Sequence, residues 1–157
     1  MKKRSKHGLS HEQIELADRT VSTALIALGF GTATADHHRE LLYALAFSLE
    51  VAATVGRYDN IKIDIQRAAL ALNHISDRGQ PYSGTAAELD AIKLGLEIFR
   101  GINRTCSIKT VERVTNKINA LMHAAISGLP LDEGFHVSQP LPNRSPNQTG
   151  PHAAHRP

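Results

Sequence analysis

Lys109, Arg113 and Lys117 recur at every fourth position of one segment. On a helix that spacing sets three cations within about 80° of arc, one turn apart. Like charges four residues apart weaken a helix slightly. An anionic ligand is one reason for a chain to carry them, and a rise of about 6 Å per turn suits the phosphates of a nucleic-acid backbone. Arg100 and Arg104 precede the strip, and Glu112 is the one acid between residues 100 and 117. Arg100, Arg104, Lys109, Arg113 and Lys117 are therefore the candidate nucleic-acid-binding residues. Lys2, Lys3, Arg4 and Lys6 would add non-specific phosphate contacts from the chain start. The competing reading is a solvated helix face that takes its counter-charge from a neighbouring helix. Base stacking has little to work with, since only Tyr58, Tyr82 and Phe99 lie in or near the later loops and helices. The junction from Arg100 to Ser107 has a turn glycine, but its flanking segments are each about five turns long, too long for a helix-turn-helix.

Histidine is the second constellation. His37 and His38 stand beside Asp36 and Glu40. A metal site needs three or four ligands converging on one point, and the paired Glu-x-x-His motifs of di-iron bundles are absent. The group reads as local capping at a helix start, where acids favour the dipole. No metal and no cofactor are expected. Cys106, the single cysteine, falls at a predicted helix start, where the dipole and Arg104 would lower its thiol pKa; with no placed histidine it reads as incidental. Gly29-Phe-Gly31 follows a helix and lacks the lysine of a phosphate-binding loop. Arg67 and His74 are separated by six residues, a spacing that resembles the Arg–His pair of HEPN-type ribonuclease domains. That resemblance implies a small, commonly dimeric bundle with Arg and His meeting at a dimer cleft. Ala68 departs from it, standing where that family usually has a polar residue.

Five helices must position these residues. Ser10-His-Glu-Gln13 is a capping box, followed by the stripe Ile14, Ala17, Val21, Ala24 and Leu28, with Gly29 and Gly31 as the stop. A second helix starts at Thr34 or Asp36 and runs to about Val55, with Gly56 ending it. Leu41, Leu42, Leu45, Leu49, Ala52 and Val55 form its inner stripe, and Tyr43, Ala46, Phe47, Val51 and Ala53 widen the arc to most of the circumference. Such a helix is central or shared with a second subunit. A third helix, capped by Asp59 or Asn60, carries Ile61, Ile65, Ala68, Leu72 and Ile75 and stops at Gly79. A fourth opens on the capping box Thr85-Ala-Ala-Glu88, buries Leu89, Ile92, Leu96 and Phe99, and ends near Gly101 or Arg104. The fifth starts at about Thr105 or Ser107, with Val111, Val114, Thr115, Ile118, Leu121, Met122 and Ala125 on its inner side, and closes at Gly128.

These readings bound the protein. The 157 residues form a basic arm (1–9), one helical domain (10–128) and a tail (129–157) that holds six of the seven prolines and is expected to be disordered. Phe135 and Val137 are the tail's only candidate anchors. The fold class is all-α, a single five-helix bundle. The longest uncharged apolar run, Leu41 to Leu49, falls short of the ~20 residues a membrane span needs. No apolar stretch follows the basic start as in a signal peptide, and one cysteine permits no internal disulfide. A cytoplasmic chain with no membrane contact is expected. The leading expectation is a non-enzymatic regulatory or adaptor protein, a homodimer working through protein–protein contacts, in the manner of small bacterial or phage accessory proteins. The alternative is a nucleic-acid-binding module using the basic strip, and the third is a HEPN-like ribonuclease.

Overall fold

The computed structural model describes residues 8–56 and 59–126. The basic segment 1–7, residues 57–58 and the proline-rich tail, with Phe135 and Val137, lie outside the described residues. The helices are α1 (His11–Gly29), α2 (Ala35–Val55), α3 (Asp59–Asp77), α4 (Ala86–Thr105) and α5 (Ile108–Ile126). Their starts follow the capping chemistry. Ser10 Oγ accepts from the Gln13 amide while Gln13 Oε1 accepts from the Ser10 amide. Thr85 and Glu88 do the same for α4. At α2 the cap is Thr34, and the reciprocal acceptor is an imidazole: His37 Nδ1 takes the Thr34 amide at 3.1 Å. Each such cap satisfies amides that the helix leaves unpaired, for about 1 kcal/mol.

α1 to α4 close into a ring, each packing on the next and α4 on α1, with α2 and α4 also meeting across the centre. α1 and α3 are the separated diagonal. The core lies on the predicted stripes: Val21, Ala24 and Leu28; Leu41 and Leu45; Ile65, Leu72 and Ile75; Ile92 and Leu96. Each such fully buried aliphatic side chain contributes roughly 1.5–3 kcal/mol of burial. Phe47 and Phe99 meet edge to face at 6.0 Å. Among the helices, α5 packs on α2 alone, burying Val114 and Ile118.

That fifth helix accounts for the wide apolar arc of α2. Leu41, Leu45 and Ala52 face the ring, while Ala46 and Glu50 lie on the opposite side, under α5. α2 therefore touches all four other helices of its own chain. Most of the arc that suggested a shared subunit surface is covered within the chain, which weakens it as an argument for a dimer, while Ala53 and Val55 stay exposed.

Two loops tie the ends. Arg78 donates to both Glu88 carboxylate oxygens, at 2.8 and 2.6 Å, and to the Ser83 carbonyl. This staple spans the α3–α4 connection, and its hydrogen bonds hold the Glu88 carboxyl down at about 2. At the same end of the ring, Ala33 bridges to Tyr82.

Candidate functional site

The cationic strip is present but divided. Lys109 and Arg113 are exposed and have no ion-pair partner among the described residues. Lys117 donates to Glu50 of α2. On the α5 surface the three positions run obliquely, from the outer face at Lys109 to the α2 boundary at Lys117. Arg100 and Arg104 belong to a different place. Arg100 lies 3.3 Å from Asp18 and 2.6 Å from Glu97, and donates to Ser22 Oγ. Arg104 lies 3.6 Å from the same Asp18. Both arginines clamp α4 to α1. The structure thus gives Arg100, Arg104 and Lys117 counter-charges from neighbouring helices and leaves Lys109 and Arg113 open.

One contact outside the strip bears on it. Gly8 forms a β-bridge with Ser107. Ser107 caps α5, its Oγ accepting from the Thr110 amide at 3.3 Å. Gly8, the first described residue, therefore sits against the start of α5, two residues before Lys109. Nothing in the sequence pattern pairs these distant positions.

The histidine group does not converge. His37 caps Thr34, and Asp36 pairs with Arg39 at 3.1 Å. His38 turns inward against Tyr82, ring centroids 5.3 Å apart; burial lowers its pKa, and its buried Nε2 has no hydrogen-bond partner among the described residues. Among the described residues, no three His, Cys, Asp or Glu side chains are placed to hold a metal ion. Cys106 corrects the sequence expectation of a lowered thiol pKa. Burial pushes the thiol up, against the hydrogen bonds of Thr110 and Ser107 and the more distant charge of Arg113. It lines an open cavity of about 320 Å³ with Val51, Val55, Ile102, Thr105, Ser107 and Thr110. A raised pKa leaves less thiolate at neutral pH, so Cys106 is a poor nucleophile there.

Arg67 and His74 lie on one outward face of α3, two turns apart. Arg67 pairs with Asp64 at 3.6 Å.

The feature missed at the sequence level is apolar. Leu16, Ile26 and Phe30 are 63%, 59% and 80% exposed. Leu16 and Ile26 lie on the face of α1 opposite Val21, Ala24 and Leu28, with Arg19 and Thr23 between them and Phe30 at the C-cap continuing that side. The signal was available: Leu16, Thr23 and Phe30 repeat at seven, a second stripe behind the buried one. Ile63 and Leu70 form a smaller row on α3, 53% and 54% exposed. Because α1 and α3 are the separated diagonal of the ring, these two rows face opposite sides of the molecule.

No described helix is long and apolar enough to cross a membrane. Compared with protein-family models, with curated proteins and with solved structures, the chain matches nothing.

Proposed function

We propose that this protein is a non-enzymatic adaptor or regulatory protein that works through protein–protein contacts made by the outer face of α1. The observation that carries this reading is the row Leu16, Ile26 and Phe30, three large apolar side chains mostly in water on one helix face. Scattered surface apolar residues are ordinary, but an aligned row is the form of a helix-borne contact surface. A photoreactive amino acid at Thr23, in the middle of the row, tests it. Crosslinked protein adducts are expected from position 23 and not from Asn116 on the far side of α5. Adducts from Asn116 alone would refute it.

A second reading has its own support. Lys109 and Arg113 are unpaired among the described residues, and Gly8, which follows Lys2, Lys3, Arg4 and Lys6 in the sequence, bridges to Ser107 at the start of α5. Two unpaired cations one turn apart on a helix suit a phosphate backbone. Salt-dependent binding to generic DNA or RNA tests it. A ribonuclease reading rests on Arg67 and His74 sharing one face of α3, and RNA cleavage that disappears in His74→Ala would support it.

A further inference from the structure

We infer that α3 pairs antiparallel with α3 of a second copy of this chain, about a dyad between Gln66 and Arg67. This rests on the protein-contact reading above and gives it a self-association surface separate from α1.

The argument is one of register. Ile63 and Leu70 are the two large apolar residues exposed on α3. They are seven residues apart, so they stand on the same face about 10 Å from each other. In an antiparallel pair, a dyad between Gln66 and Arg67 sets each Ile63 opposite Leu70 of the second copy. That register also sets each Asp59 opposite His74 of the second copy, both on exposed positions. The Asp59 carboxylate is 83% exposed, with one oxygen held by Lys62 at 2.9 Å and the other without a partner among the described residues, so that it can accept an imidazole N–H. A two-fold contact must be self-complementary, with each residue meeting the same opposite residue twice. Here one register satisfies both the apolar and the polar pairs.

The centre of the contact is also balanced. The two Arg67 side chains flank the dyad, where bare cations would repel. Each is already paired with Asp64 of its own chain at 3.6 Å, so the dyad edge holds two cations and two anions. The same face on α1 offers no such match, because a register that meets Leu16 with Phe30 leaves Arg19 against Ala27. One helix face is narrower than the ~800 Å² per partner of a stable interface. The dimer is therefore weak, forming at micromolar concentration or above.

Sedimentation of the full chain across micromolar to submillimolar concentration tests this. The expected result is a monomer–dimer equilibrium that Leu70→Lys shifts at least tenfold toward monomer, with an unchanged circular dichroism spectrum. An Ile63→Lys chain mixed with a Leu70→Glu chain should associate more tightly than either alone, since the register sets the new charges opposite each other. In a Cys106→Ser background, Arg67→Cys should oxidise to a covalent dimer. A monomer at every concentration overturns the proposal and leaves the α3 row to another occupant. A dimer broken by Ile26→Asp and untouched by Leu70→Lys also overturns it, and places self-association on α1. The crosslinking test at Thr23 is independent of all these outcomes, so the adaptor reading stands or falls separately.

Discussion

Ala68 of α3 packs against the bare backbone of Gly95 in α4: a Cβ placed on Gly95 would lie 2.6 Å from the Ala68 Cβ. Leu45 of α2 would be 2.8 Å away, so three helices converge on a position with no side chain. Gly95→Ala gains about 1 kcal/mol of helix propensity but overpacks the contact at a cost of roughly 1–3 kcal/mol. A net loss of up to about 2 kcal/mol is expected in urea denaturation. Adding Ala68→Gly should recover part of it. A stabilised single variant would show that the helices can separate without cost.

Acid should find the Arg78–Glu88 staple. Glu88 titrates at about 2 in the fold and in the usual carboxylate range when unfolded. Its contribution is complete above the unfolded value and is lost as pH falls through the folded one. Glu88→Gln should lower the melting temperature at neutral pH by a few degrees. The difference from wild type should shrink between about pH 4.5 and pH 2. A gap that stays constant across that range would mean the staple does not set the carboxyl.

The two arginines of the predicted strip that sit on α4 should behave as structural groups. Asp18→Asn leaves Arg100 with Glu97 but weakens the clamp to α1. A cost of up to about 1 kcal/mol is expected, that of a partly exposed ion pair, since Asp18 Oδ1 has no hydrogen-bond partner among the described residues. Lys109→Ala should cost almost nothing, because exposed charges contribute little. Equal costs for the two would return Arg100 to the surface strip.

Nucleic-acid binding, where it occurs at low salt, should depend on Lys109 and Arg113. Removing both should flatten the log–log salt slope by roughly 0.7–0.9 per lost contact. Lys117→Ala should change it less, since Glu50 already holds that ammonium. A slope that responds only to Lys117 would contradict the division of the strip.

Much of the fold was readable because local signals agreed. Ser10 with Gln13, and Thr85 with Glu88, announced helix starts, and period 3.6 announced Val21, Leu45, Ile65 and Leu96 as core. What was not readable depended on pairings distant in sequence. Glu50 with Lys117, Asp18 with Arg100, and Gly8 with Ser107 are set by which helices become neighbours, and no spacing within a helix encodes that. The wide arc of α2 has more than one physical solution, and which part of it α5 covers depends on packing between distant segments. Gly95 carries a signal of its own: an interior helix glycine costs about 1 kcal/mol relative to alanine, which implies a close approach. The outward rows on α1 and α3 were hidden by reading each helix for one stripe only.

The central claim, that the protein acts through the outer face of α1, is tested most directly by affinity capture with matched surface variants. The wild-type chain, Ile26→Asp with Phe30→Asp, and Lys109→Ala with Arg113→Ala would be compared after nuclease treatment, each first shown to fold by its thermal melt. The account predicts a specific protein retained by the wild type and by the α5 variant and lost from the α1 variant, with affinity reduced at least tenfold when the purified pair is remeasured. Retention that survives the α1 changes, or that vanishes with nuclease or with the α5 changes, would contradict it.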